Sequence, residues 1–174
     1  LQEKMIRLHV IANSDSDSDQ TLKLQVRDRV LSFTTRILQQ AEDMKEAETE
    51  LRGALDRIET IAQREIVTQG YDYDVTAQLE RAEFPLKEYD GFSLPAGEYM
   101  ALRVVIGKGE GRNWWCVVYP PLCTAAATDI SQTAIVAGLT EDDVGLITEE
   151  DTGYVLKFRS LELWERLRQW LGKQ

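Results

Sequence analysis

Two hydrophobic patterns alternate along the first half of the chain, one typical of strands and one of helices. Residues 5–12 are mostly apolar, and Arg7 and His9 interrupt them in alternation, which predicts a strand with one apolar face. Apolar residues then recur every three or four positions up to about Gln40, as in an amphipathic helix. A second helix is predicted over 43–69. Because few residues join the two helices, we expect them to form an antiparallel hairpin.

Residues 71–119 are predicted to contain strands. Residues 71–80 alternate without a break between apolar and polar side chains, which indicates a half-buried strand. Residues 99–106 and 114–119 are mostly apolar, and the glycine-rich segment 107–111 between them predicts a flexible turn that closes a hairpin. The fold class is therefore α+β: a mainly antiparallel sheet of about four to five strands, packed on one face by the helical hairpin.

Residues 124–174 differ from the rest of the chain in their sequence pattern. Residues 124–152 contain seven acidic residues and no Lys or Arg, so we expect an irregular segment with at most a short helix near 140–147. A strand is predicted over 153–159 and an amphipathic helix over 161–171. The chain thus divides into an α+β domain at 5–123, an acidic irregular linker at 124–152, and a C-terminal strand and helix at 153–174.

Charge narrows the classes of partner. The 174 residues carry 20 Lys and Arg against 30 Asp and Glu, a net charge of −10, which argues against nucleic acid or anionic lipid as the main partner. No apolar run approaches the roughly 20 residues that a membrane helix needs. Residues 84–123 differ from the rest: their charges balance, and they hold all four prolines, both cysteines and seven of the fourteen aromatic residues. Such a stretch is typical of a recognition surface or of a central hairpin.

Two motifs imitate ligand sites. Asp15-x-Asp17-x-Asp19 resembles the start of a calcium loop, but Gln20 and Val26 stand where that loop needs Gly and Glu, so we interpret the motif as helix capping. The glycines of 107–111 resemble a phosphate loop, but they lie between two predicted strands instead of before a helix. We interpret them as a mobile hairpin tip, which could serve as an interaction loop.

The cysteines and the single histidine limit the possible chemistry. One His and two Cys fall short of the usual four-ligand zinc site, and nothing in the sequence points to a metal or cofactor. Cys116 and His9 form the only possible Cys–His pair, but each lies inside an apolar strand, which favours a structural role. Cys116 and Cys123 flank Pro120-Pro121, whose turn could bring the sulfurs together. The sequence leaves a disulfide and two free thiols equally open.

Several motifs of the sequence are distinctive. They are Ile6-Arg-Leu-His-Val-Ile-Ala-Asn-Ser-Asp15, Leu24-x-Val-Arg-Asp28, Phe84-Pro-x-Lys87, Leu94-Pro-Ala-Gly-Glu-Tyr99, Ala101-Leu-Arg-Val-Val-Ile-Gly107, Gly111-x-Asn-Trp-Trp-Cys-Val117 and Pro120-Pro-Leu-Cys123. They resemble the stage II sporulation protein R family of endospore-forming Firmicutes over about residues 5–123, and residues 154–171 resemble the end of its members.

The resemblance implies a non-enzymatic signalling protein. Members of the family are exported from the forespore into the space between forespore and mother cell. There they trigger a membrane-embedded aspartic protease, stage II sporulation protein GA, which processes the mother-cell sigma-E precursor. Family members usually begin with a hydrophobic export segment, which is not seen in the sequence from Leu1 onward. We therefore expect membrane contact only through the partner or through a missing N-terminal segment. The extracytoplasmic location favours the disulfide between Cys116 and Cys123.

The resemblance carries a role but no catalytic residues. We expect the aromatic, turn-rich region to contact the protease, and the candidate partner-binding residues are Lys87, Arg112, Asn113, Trp114 and Trp115. The alternative is a small extracytoplasmic cysteine hydrolase or cell-wall-binding protein that uses Cys116 and His9. Such a dyad requires hydrogen-bond reach in an open cleft.

Overall fold

The computed structural model describes residues 1–89, 91–123 and 130–148. The strand and helix predicted within 153–174 lie outside the described residues. In chain order the elements are a 3₁₀ turn at Gln2–Lys4, β1 Ile6–Ile11, α1 Asp17–Leu38, α2 Met44–Thr68, β2 Val75–Phe84, β3 Lys87–Tyr89, β4 Phe92–Leu94, β5 Gly97–Ile106, β6 Asn113–Tyr119, α3 Ile130–Val136 and α4 Glu141–Thr148.

The α+β class is confirmed. The main sheet has the order β2-β5-β1-β6, and β3 and β4 form a separate two-stranded sheet. Two of the three pairings in the main sheet are antiparallel, while β1 runs parallel to β5. The predicted hairpin between 99–106 and 114–119 is wrong, because β1 lies between β5 and β6 and pairs with both. The glycine segment therefore crosses over the end of β1.

The loop after β1 fixes this crossover. The backbone N–H of Lys108 donates to Asn13 Oδ1 (2.9 Å), and the N–H groups of Glu110 and Gly111 donate to the carbonyls of Asn13 and Ala12. A Cβ at Gly111 would collide with the backbone of the loop that follows β1, so only glycine fits this close approach. The segment is thus a hydrogen-bonded crossover, in place of the mobile tip expected from its glycines.

The same loop starts helix α1, and the capping interpretation of the acidic motif is confirmed. Ser16 is the N-cap and accepts a hydrogen bond from the backbone N–H of Asp19 (3.2 Å). The buried Asp19 carboxylate accepts hydrogen bonds from Ser14 Oγ (2.6 Å) and Asn13 Nδ2 (2.9 Å). Burial alone would raise the pKa of Asp19, but these donors hold it below its usual value.

The main sheet has apolar residues on both faces. On one face, the strands pack against the buried stripes of α1 and α2, as the sequence predicted. On the other face, a smaller core lies between the sheet and the β3–β4, α3 and α4 segments; its buried members include Met5, Phe84, Leu94, Tyr99 and Val117. We call this side of the main sheet the second face.

Strand β2 begins at Val75, four residues later than the predicted 71–80, and continues to Phe84. The preceding residues turn back to the helical hairpin instead of pairing. The rings of Tyr71 and Tyr73 stack at 5.4 Å, and the Tyr73 carbonyl accepts a hydrogen bond from Gln63 Nε2 (2.9 Å). Alternation along the sequence therefore marked one-sided burial correctly but misplaced the start of the ladder.

The described part of the acidic segment contains two helices, where at most one was expected. Helix α4 matches the prediction near 140–147, but α3 was not predicted. Buried Ala134, Leu139, Val144 and Ile147 attach this segment to the second face. The acidic residues on the exposed side of α4 make the spacing of these buried apolar residues difficult to recognise in the sequence. The division of the whole chain into domains stays a prediction.

The substitution Asn13→Ala tests the crossover. It removes the acceptor for the Lys108 N–H and a donor to Asp19, so we expect a loss of about 1–3 kcal/mol in the free energy of unfolding, measured by denaturant titration. Asn113→Ala is the matched control, because Asn113 is exposed on β6 and should change stability by less than about 0.5 kcal/mol. Equal stability of the two variants would show that the crossover does not depend on Asn13.

Candidate functional site

Strand alternation gathers a set of aromatic and cationic side chains on the second face. Arg7 and His9 come from β1, Phe84 from β2, Tyr99 from β5 and Trp115 from β6. His9 lies opposite Trp115 on the antiparallel neighbour, and the adjacent pair joins Leu8 to Cys116 on the opposite face of the sheet. The sheet register therefore decides which functional groups can meet.

Arg7 is the centre of this arrangement. Its side chain is completely buried, and Nη2 donates a hydrogen bond to Tyr89 Oη (2.7 Å). The guanidinium carbon lies 4.1 Å from the centroid of the Phe84 ring and 5.0 Å from that of Tyr99. No described carboxylate pairs with it, and its Nε and Nη1 atoms have no hydrogen-bond partner within the described residues. Aromatic faces and one hydroxyl hold the buried cation.

Trp115 is fixed by edge-to-face contacts. Its ring centroid lies 5.2 Å from His9 and 5.3 Å from Phe84, and His9 and Phe84 are themselves 5.7 Å apart. The side chain is half-buried, and Lys87 Nζ approaches its ring at 5.5 Å from the centroid. Trp115 and the exposed Lys87 therefore form the accessible rim of a packed aromatic cluster.

His9 stays neutral at ordinary pH. Burial, together with the nearby Arg103 and Arg7 cations, lowers the pKa of His9 to about 4. Neither ring nitrogen has a hydrogen-bond partner within the described residues. His9 therefore serves as an aromatic packing group between Phe84 and Trp115.

The structure divides the five predicted partner-binding residues among three places. Lys87 and Trp115 meet on the second face. Arg112 and Asn113 are exposed where β6 begins. Trp114 lies on the helix-facing side, where the Arg27 guanidinium covers its ring at 4.6 Å, so it is separated from Trp115 by the sheet.

The backbone at Arg112 is held from both sides. Its N–H donates to Asp15 Oδ1 (2.7 Å), and its carbonyl accepts from Lys23 Nζ (3.0 Å). The Arg112 side chain remains exposed, with Nε 3.5 Å from Asp15 Oδ1. A partner could therefore contact Arg112 without moving the backbone of the crossover.

Cys116 and Cys123 are joined by a disulfide in the structure, with Cα atoms 6.0 Å apart. Cys116 is completely buried in the helix-facing core, whereas His9 lies on the second face. A Cys116–His9 catalytic dyad is therefore wrong: the sulfur is already bonded, and the sheet separates it from the imidazole. Among the described residues, no three His, Cys, Asp or Glu side chains cluster as metal ligands would.

Two contributors to the site were missed in the sequence. Arg7 appeared only as an interruption of an apolar strand, and its signal was that alternation placed it on the same face as His9. Leu86, next to Lys87 in the chain, is 61% exposed. Its signal in the sequence was an apolar residue between Pro85 and a lysine, in a segment predicted to turn. We use the name Trp115 surface for Leu86, Lys87 and Trp115 together with the exposed Arg112 and Asn113 at the start of β6.

Comparison with known proteins shows which family the chain belongs to. The family model described as Stage II sporulation protein R matches residues 2–129. The chain belongs to this family. Stage II sporulation protein R of Bacillus subtilis (strain 168) is 38% identical over 123 residues, which cover 71% of this chain and 55% of that relative. The chain thus spans about half the length of the relative, and no solved structure matches it.

The matched region contains the whole Trp115 surface and both cysteines. It also includes the crossover and the buried Arg7, so the elements that build the site belong to the family domain. Within the described part of the chain, no helix is long and apolar enough to span a bilayer.

The pKa of His9 predicts a pH dependence of stability. The unfolded chain, with the ordinary pKa of 6.5, takes up a proton between pH 6.5 and about 4 that the native state does not. The free energy of unfolding should therefore fall as pH falls through this window, by at most about 3 kcal/mol, and level off below it. Denaturant titrations at pH 7 and 4.5 should show this loss in the parent and not in His9→Phe. The same decline in both proteins would contradict the assignment.

Tyr89→Phe tests the hydroxyl that holds Arg7. The variant keeps the ring stacked on Phe92 but leaves a buried guanidinium without this acceptor, so stability should fall by about 1–3 kcal/mol. Tyr71→Phe, on a half-buried ring stacked against Tyr73, is the control and should fall much less. Thermal or denaturant unfolding measures both, and an unchanged Tyr89→Phe would mean that the bond contributes nothing.

Proposed function

We propose that the protein is a non-enzymatic signal of sporulation. In this proposal it is exported from the forespore into the space between forespore and mother cell. There it triggers the membrane-embedded aspartic protease stage II sporulation protein GA, which processes the mother-cell sigma-E precursor. The observation that carries the proposal is the family membership over residues 2–129.

The geometry favours action by binding. The one Cys–His pair that could have supported a hydrolase is split between the two faces of the sheet. In contrast, the residues of the Trp115 surface are of types found at protein contact sites: an aromatic ring with a fixed orientation, an exposed leucine, and the exposed cations Lys87 and Arg112. A surface that is already ordered loses little conformational entropy on binding.

The charges of this surface indicate what the partner presents. Lys87 is exposed and has no carboxylate partner within 4 Å among the described residues, while Arg112 has only the exposed Asp15 nearby. We therefore expect the protease to offer acidic groups around an apolar pocket that receives Leu86 and the edge of Trp115.

Direct binding is the first test. The purified chain and the extracytoplasmic portion of the protease are mixed at micromolar concentration and followed by size-exclusion chromatography with light scattering. We expect a complex that elutes ahead of either component. If no complex forms, and the chain also fails to restore precursor processing in a sporulating strain without its own R protein, the proposed function is wrong.

A charge reversal tests the surface within that function. Lys87→Glu should reduce sigma-E precursor processing at least tenfold in the same strain, because it reverses a rim charge without removing a buried contact. Arg81→Glu is the control: Arg81 is an exposed β2 residue whose nearest acid is Glu98 at 3.3 Å. Comparable processing by Lys87→Glu, Arg112→Ala and the parent would show that the Trp115 surface does not contact the protease. The function itself would still be tested by complex formation.

A further inference from the structure

A groove on the solvent side of the helical hairpin lies outside the proposed function. It has a volume of about 660 Å³ and is lined by four arginines. Arg29 and Arg36 come from α1, and Arg57 and Arg64 come from α2. Each pair is seven residues apart, close to two helical turns, so each helix presents both of its arginines to the same groove.

The groove carries a local positive charge in an acidic protein. Glu65 is its only carboxylate, and this group is already used: it accepts hydrogen bonds from Arg29 Nε and Gln69 Nε2, both at 2.8 Å. Burial would raise the pKa of Glu65, but the bonds from Gln69 and Arg29 keep it below its usual value, so it is ionised. The other three arginines have no carboxylate within ion-pair distance among the described residues, which leaves an excess of three positive charges.

The floor of the groove is apolar. Phe33 lies beneath the Arg57 guanidinium, 5.0 Å from its carbon to the ring centroid, and the half-buried Ile61 continues the floor. Ser32 and Thr60 add hydroxyl groups along the walls. The groove thus combines cationic walls, hydrogen-bonding groups and an apolar base within one cavity of ordinary ligand-site size.

We propose that this groove binds an acidic peptide segment of a partner protein. Arginine forks match carboxylates in bidentate geometry, and the apolar floor fits an aliphatic side chain between two acids. A concave groove between helices suits an extended or helical peptide better than a flat bilayer, whose headgroups cannot reach the floor. The net charge of −10 does not prevent this, because exposed charges beyond about 8 Å are largely screened at physiological salt.

The test uses a fluorescent twelve-residue peptide that alternates Glu-Glu with Leu, followed by anisotropy in about 150 mM salt. We expect the parent chain to bind it and a lysine analogue of the same length not to bind. Arg36→Glu combined with Arg57→Glu should weaken binding at least tenfold. Arg52→Glu combined with Arg81→Glu changes the net charge equally outside the groove and should stay within about twofold. The double variant Arg36→Gln with Arg57→Gln should also bind the peptide more weakly while its unfolding curve matches that of the parent, which shows that the loss of binding is not caused by misfolding.

Three results would overturn the proposal: no binding of the acidic peptide by the parent, equal losses in the groove and control variants, or sedimentation of the chain with anionic phospholipid vesicles while the peptide stays free. The last result would assign the groove to a membrane surface. None of these outcomes bears on complex formation with the protease, so the proposed function is judged separately.

Discussion

The structure depends on how a buried cation in the middle of the sheet is held. Arg7 lies on β1, the strand that pairs with both β5 and β6, and it is completely buried with no carboxylate partner among the described residues. A guanidinium removed from water is costly unless other groups replace its hydration. Here Phe84, Tyr99 and Tyr89 supply two ring faces and a hydroxyl, one from each of β2, β5 and β3. This requirement couples the small β3–β4 sheet to the main sheet.

That coupling places the proposed contact surface. Tyr89 holds the end of β3, whose first residue is Lys87, and Phe84 supports the ring of Trp115. On the other side, Asn13 and Asp15 fix the crossover that leads to Arg112 and the start of β6. The proposed surface is therefore assembled from distant parts of the sequence but rests on short, well-packed elements, as binding through a preformed shape would require.

Much of the fold could be predicted because periodicity reports burial. The stripes of α1 and α2, the capping role of the acidic motif and the α+β class all follow from one-sided patterns. Periodicity does not report neighbours, so the insertion of β1 between β5 and β6 was missed: a glycine-rich connection fits a hairpin as well as a crossover. Periodicity also could not show which of Trp114 and Trp115 contacts Lys87. Alternation places the two rings on opposite faces of the sheet, but it does not indicate which face packs against the helices. The burial of Arg7 was hidden for the same reason.

Hydrogen–deuterium exchange of the chain, alone and with the extracytoplasmic portion of the protease, tests the central claim most directly. We expect slowed exchange on binding in the two segments that carry the Trp115 surface, residues 86–89 and 112–115. Binding without protection in either segment, or protection confined to the helices on the opposite side of the sheet, would contradict it.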